Sequence, residues 1–213
     1  MKYFWPGSVL RNLVESRLPR HHSGACFQTI TAMILRIALT SAWGLITACL
    51  LTGCVGVPKG VKPVKGFELD RYLGRWYEIA RLDHSFERGL THVTADYSIR
   101  KDGGVRVLNR GYSKKKHAWK TAEGKAYFVK DPDQGYLKVS FFGPFYGSYV
   151  IFELGQQDYQ YSIISGPKKS YLWILARKPQ IEPELRQQLI SRAAALGFDT
   201  TKLVFPEQGP PPP

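Results

Sequence analysis

From residue 67 onward the chain is a series of short runs in which apolar and polar positions alternate. Val93, Ala95, Tyr97 and Ile99 are interleaved with Thr94, Asp96 and Ser98, and Leu137, Val139 and Phe141 with Lys138 and Ser140. A period of two puts each set on its own face of a strand. Eight such runs, rich in β-branched and aromatic residues, fall at 76–82, 93–100, 105–113, 119–129, 136–142, 148–154, 159–165 and 172–177. Turn signals separate them, among them Asp102-Gly103-Gly104, Asp131-Pro132-Asp133, Gly143-Pro144 and Gly166-Pro167. Hairpin-length links between eight strands predict an all-β, antiparallel up-and-down barrel, because closure removes the exposed edges; a sandwich is the alternative. The period changes once, after the last strand. Pro183, flanked by Glu182 and Glu184, opens a segment in which Leu185, Leu189, Ala193 and Leu196 share a face, and Gly197 stops it. This predicts one C-terminal amphipathic α-helix over 183–197. Its apolar stripe is narrow and its polar face is not strongly basic, so it is expected to pack on the barrel wall rather than on a membrane. A short strand is expected at 202–205 and a disordered tail at 207–213.

The N-terminal quarter follows a different pattern. Met33 and Arg36 precede an apolar stretch that runs to small residues and Cys54. That order spells a secretory signal over 33–53. A membrane-spanning helix would need roughly 20 apolar residues with flanking anchors, and Gly53, Gly56, Pro58 and Gly60 interrupt one here. Leu51-Thr52-Gly53-Cys54 is similar to the bacterial lipobox, which implies that the Cys54 thiol receives diacylglycerol and becomes the N-terminus after cleavage. Ile46-Thr47-Ala48-Cys49 fits the same pattern but would leave Leu50 and Leu51 at the new terminus, so Cys54 is preferred. Val55 follows it instead of an aspartate, which points to the outer membrane of a Gram-negative bacterium. Residues 1–32 have little periodicity and read as an over-extended start, with Met33 the initiator. Residues 54–66 read as a lipidated Pro/Gly/Lys tether, and 67–206 as the barrel domain.

Composition narrows the picture. With 213 residues, 44% apolar and 13% aromatic, the chain holds one globular domain and a remainder. The three cysteines are Cys26, Cys49 and Cys54, so the barrel has neither a disulfide framework nor a catalytic thiol. The net charge is +13 overall and +9 without residues 1–53, which hold five of the 30 basic and one of the 17 acidic residues. In a cytoplasmic protein such a balance would suggest nucleic acid. On an exported lipoprotein it suits phosphate-bearing lipids or an ordinary solvated surface, and no nucleic-acid partner is expected.

Leu73-Gly74-Arg75-Trp76-Tyr77-Glu78-Ile79-Ala80-Arg81 matches the G-x-W signature of the lipocalin family, and Arg177 closes the eighth strand where lipocalins place an arginine across that tryptophan. Further stretches resemble the bacterial outer-membrane lipocalins and their apolipoprotein D-like relatives: Phe86-Glu87-Arg88-Gly89, Gly124-Lys125-Ala126-Tyr127-Phe128, Val139-Ser140-Phe141-Phe142-Gly143-Pro144-Phe145-Tyr146-Gly147 and Tyr171-Leu172-Trp173-Ile174-Leu175-Ala176-Arg177. The resemblance covers about residues 67–206 and implies a lipid-binding barrel. Gly74, Trp76 and Arg177 are then structural residues of the closed end, where a guanidinium over an indole contributes on the order of 0.5–2 kcal/mol. Glu78 lies two positions beyond Trp76, either turned into the cavity or paired with a base. Trp173 and Tyr146, each with an apolar body and a polar edge, are the expected ligand contacts with Glu78. Lys114-Lys115-Lys116-His117 forms a basic loop, either a solvated tip or a site for headgroup phosphates.

No nucleophile elbow or Gly-rich phosphate loop occurs, and His84, His92 and His117 lack metal-ligand spacing. Asp131 and Asp133 read as turn residues. No enzymatic activity, cofactor or metal is therefore expected. The expected partners are a fatty acid, lysophospholipid or phospholipid in the barrel and the membrane through the acyl anchor; a homodimer is left open. The alternative is a structural envelope lipoprotein whose barrel is filled.

Overall fold

The computed structural model describes residues 55–210. A single helical turn, α1 (Leu69–Tyr72), leads into β1 (Gly74–Leu82), β2 (Leu90–Ile99), β3 (Val105–Ser113), β4 (Ala118–Phe128), β5 (Tyr136–Phe142), β6 (Phe145–Leu154), β7 (Tyr161–Ser165) and β8 (Leu172–Ala176). Helix α2 (Pro183–Ala195), a 3₁₀ turn (Thr200–Lys202) and β9 (Leu203–Val204) follow. Each strand pairs antiparallel with the next, and β1 pairs with both β8 and β2, which closes the barrel. Because neighbours alternate in direction, the loops at 83–89, 114–117, 143–144 and 166–171 gather at one end. Those at 100–104, 129–135 and 155–160 gather at the other, beside α1 and Trp76.

Strand alternation divides the apolar residues into two cores. Trp76, Ala95, Tyr97, Val105, Val107, Ala126, Leu137, Ile151 and Leu175 fill the barrel interior. Ile79, Ala80, Leu82, Phe152, Ile174 and Ala176 face outward and are covered by Leu189, Ala193 and Phe198 of the α2 region. Helix α2 thus packs on the wall, with Phe198 stacked on Phe152 at 5.4 Å between ring centres. Pro183 begins it and Gly197, at φ +79°, lies just beyond its end.

Alternation breaks at bulges. Glu78 pairs with Leu175 but Ala80 with Ile174, so Ile79 is an extra residue and the faces of β1 exchange there. A second bulge lies between Thr91 and Thr94 of β2, where His92 takes φ +52°. Past Tyr77 and Thr94 the strands β1 and β2 part, and β9 occupies the freed edge of β1 through Arg81↔Val204 and Leu82↔Leu203.

Two segments differ from the expectations. Residues 55–66 are laid along the barrel rather than spaced away from it. Val61 is buried, the Gly135 N–H donates to the Val64 carbonyl at 3.0 Å, and the Val64 N–H donates to Ile151 at 2.9 Å. At the other end, Glu207 and Gln208 are held where a free tail was expected. The Gln208 amide donates to the carbonyls of Glu78 and Val93 at 2.8 and 2.9 Å, the backbone groups left unpaired where β1 and β2 separate.

Candidate functional site

The closed end is built around Trp76, which is fully buried and donates from its indole to the Tyr72 carbonyl at 2.8 Å. The Arg177 guanidinium carbon lies 4.0 Å from the centre of the Trp76 rings. Its two terminal nitrogens donate to the carbonyls of Leu73, Arg75 and Arg71 at 2.9, 3.0 and 2.6 Å. Gly74 makes the turn possible at φ +89°, a conformation that costs a side chain strain. Gly74, Trp76 and Arg177 are therefore brought into one contact set, and its donors are spent on main chain.

Above this base the apolar interior is nearly filled, leaving a cavity of about 10 Å³ among residues such as Phe67, Val105, Val107, Ala126, Leu137 and Val139, room for roughly one water. Small-molecule sites usually offer roughly 300–1,000 Å³, so in this structure the side chains of the closed half close upon one another, and an acyl chain enters only as they move apart. Gly124 widens the wall for Phe141, since a Cβ there would stand 2.9 Å from the Phe141 ring. One polar chain crosses this interior: the hydroxyls of Tyr97 and Tyr149 are 2.8 Å apart, as are those of Tyr149 and Tyr72, and Tyr72 meets Ser162 at 3.3 Å. Burial pushes the Tyr72 phenol up to about 12.

Toward the open end the interior becomes ionic. The bulge at Ile79 turns both Glu78 and Arg81 inward, and they form an ion pair in which they are 2% and 1% exposed. Arg81 also donates to the Glu87 carbonyl at 3.0 Å, tying the 83–89 loop to the wall. Trp173 donates from its indole nitrogen to the Glu87 carboxylate at 3.0 Å. The Arg81 guanidinium thus meets the Glu78 carboxylate and the Glu87 main-chain carbonyl, and its Nε is buried without a partner among the described residues. Burial first, and the Glu87 charge next, raise the Glu78 carboxyl well above its ordinary range against the pull of Arg81. His84 stacks on Tyr171 at 4.2 Å, and burial lowers its imidazole. Across the mouth, Lys120 pairs with Gly111 on the inner face and is exposed, as are Ala118 and Ala122, so this stretch of the inner wall is open.

Of the expected ligand contacts, Glu78 and Trp173 are joined through Arg81 and Glu87. Tyr146 is not among them: its ring lies on the outer face, 5.1 Å from the Lys138 ammonium and 6.4 Å from the Tyr127 ring. The even-numbered residues Ser148 and Val150 share that outward side, whereas Tyr149 and Ile151 point in. Cys54 lies outside the described residues. Arg81, Glu87, Lys120 and the tyrosine trio escaped the sequence reading. Tyr97 was visible as an inward position, but simple alternation from Trp76 turns Arg81 outward.

Residues 67–208 match the family described as a lipocalin-like domain. The chain is similar to the outer membrane lipoprotein Blc of Vibrio cholerae, at 57% identity over 77% of this chain and 96% of that one. The Blc of Escherichia coli K12 is 46% identical over 81% of this chain and 95% of its own length. Among solved structures, insecticyanin of the tobacco hornworm Manduca sexta superposes with a TM-score of 0.57 at 23% identity, covering 71% of this chain and 86% of that one. At that identity the likeness is one of fold.

Proposed function

The chain belongs to the lipocalin family, among the bacterial outer-membrane lipocalins, and from that premise we propose that it is a lipid-anchored carrier of acyl lipids in the Gram-negative outer membrane. Cys54 is the anchoring residue. The ligand is a fatty acid, a lysophospholipid or one chain of a phospholipid, taken up for storage or transport in envelope maintenance. The observation that carries this reading is the division of the interior: apolar walls in the closed half, with Glu78, Arg81, Glu87 and Trp173 in the open half. Burial of an acyl chain against such walls contributes about 25 cal/mol per Å². A headgroup buried unpaired costs several kcal/mol, so it stays at the ionic level or in the mouth beside Lys120. Trp173, with its ring packed on the interior cluster, is the residue placed to sense the chain.

The close packing of the closed half favours a second reading, a structural lipoprotein with a filled barrel. Delipidated protein titrated with a lysophospholipid separates the two. Saturable change in tryptophan emission is expected. Trp173→Phe removes most of it, and Trp119→Phe, an outer-wall change where Arg110 covers the indole at 4.1 Å, leaves it. No saturable signal from any acyl ligand, with mass spectrometry verifying an empty barrel, leaves the structural reading standing.

A further inference from the structure

The two ends of the barrel differ in what they expose. On β1–β8 and their hairpins, the large apolar side chains most exposed among the described residues are Phe142 at 81%, Phe145 at 63%, Phe86 at 60% and Ile99. The three phenylalanines all sit at the open end, Phe142 and Phe145 paired across one hairpin and Phe86 on the 83–89 loop. A single exposed apolar residue is ordinary, but three on one rim are a surface with a partner. Charge separates the ends in the same sense. The open-end hairpin loops hold six Lys or Arg against two Asp or Glu, and Glu87, one of those two acids, is buried. The closed-end loops hold three against four. Arg88 and Lys114 pair with Asp83 and Glu207, while Lys115, Lys116 and Lys168 stand exposed on the rim.

The path of the chain agrees. Val55 and Gly56 are bound to the outer wall, through the Tyr136 hydroxyl donating to Val55 at 3.2 Å and the Ser148 hydroxyl donating to Gly56 at 2.6 Å. Ser148 lies three residues along β6 from Phe145, roughly 10 Å at a strand's rise per residue. Cys54 is one peptide unit from Val55, about 3.8 Å between Cα atoms. The described chain therefore begins on the outer wall, with Gly56 held nearer the Phe145 end of β6 than its Leu154 end.

We propose that the open rim is a docking surface for an anionic phospholipid bilayer, with Phe142, Phe145 and Phe86 entering the interface and the lysine loops meeting the phosphates. The barrel then stands mouth-down on the membrane that holds its anchor. Apolar side chains at the interface and clustered lysines near an anionic leaflet are both favoured, the second in a salt-dependent way. The proposal rests on the anchored-lipoprotein reading, and the mass of the purified chain, with or without its diacylglycerol, reports that reading separately.

The test uses the mature protein in vesicles, labelled with an environment-sensitive dye at Phe142→Cys on the rim or Asp131→Cys at the closed end; residues 55–213 contain no other cysteine. In phosphatidylglycerol-containing vesicles with brominated acyl chains, the dye at 142 is expected to shift to the blue and be quenched several-fold more than the dye at 131. About 0.5 M salt, which shortens the screening length to a few ångströms, or Lys115→Glu with Lys116→Glu, reduces the difference, and so does Phe145→Ser. These residues are exposed, so the variants retain the far-UV spectrum of the parent. Equal quenching at both positions, stronger quenching at 131, or quenching undiminished on purely zwitterionic vesicles overturns the proposal. An unacylated chain that still quenches at 142 upholds the rim and removes the anchor.

Discussion

At the closed end Arg177 lies on an indole and donates to three main-chain carbonyls, whereas at the open end Arg81 is paired with the buried Glu78 carboxylate and donates to the Glu87 carbonyl. Both guanidiniums organise a turn of chain. Arg177 holds the entry to β1 and Arg81 the 83–89 loop. The difference lies in what each partner can do. Carbonyls and a π-face carry no proton to exchange, so the closed end is fixed across the physiological range. The open end has a buried acid, Glu78, paired with one base in a dry site beside the Glu87 charge, and the charge state of Glu78 responds to pH and to whatever enters the barrel. The rigid end is the one remote from the mouth, and the responsive end is the one a ligand must pass.

The comparison breaks most visibly at Arg81. Arg81→Met leaves Glu78 buried without its counter-charge and frees the Glu87 carbonyl, a loss of about 3–5 kcal/mol by analogy with other broken buried pairs. Chemical denaturation measures it, and adding Glu78→Gln is expected to recover part of the loss. If Arg81→Met is as stable as the parent, the open-end pair contributes nothing and the contrast fails. Arg177→Ala removes the cation–π contact and its carbonyl bonds, about 2–3 kcal/mol in all. Here the ligand affinity of the folded fraction is expected to stay unchanged. A loss of binding at an unshifted melting temperature would place Arg177 in the site.

The smallest effect is a slope. The Glu78 carboxyl is raised in the folded protein above its ordinary 4.5. The folded state therefore holds that proton more tightly than the unfolded chain. Stability from this group is complete below the ordinary value and is lost as pH rises through the raised one, by at most about 1.4 kcal/mol per pH unit. Glu78→Gln abolishes this segment of the pH profile, while Arg177→Ala leaves it in place. A profile identical in Glu78→Gln and the parent would show that Glu78 does not carry this proton.

Much of this was legible from residue order. Inward Tyr97, Leu137 and Val139 and outward Asp96 and Lys138 are written as a period of two, and the helix as Pro183 to Gly197 with one apolar stripe. Trp76 with Gly74 two positions earlier, and Arg177 at the end of the last strand, marked the closed end through their resemblance to the lipocalin signature, and a tight bend beside a large ring gives that pattern its physical reason. Tyr146 was misplaced. Its residue type suits a cavity, but its face depends on a register that the bulge between Val139 and Phe142 shifts.

What the sequence determined by itself is what repeats locally: strand spacing, turn positions, the amphipathic helix and the chemistry of each side chain. Tertiary structure alone decided which side chains meet. The extra residue at Ile79 rotates Arg81 from the outer wall to the inner one and creates the ion pair with Glu78. Glu87 reaches the same place only because its loop folds back over the mouth, and Gln208 is held only because β1 and β2 part and leave two carbonyls unpaired. A bulge changes nothing in the composition of a strand and everything in its facing, since a one-residue insertion exchanges the two sides of a period-two pattern. Contacts between residues far apart in sequence rest on such exchanges, and no local pattern records them.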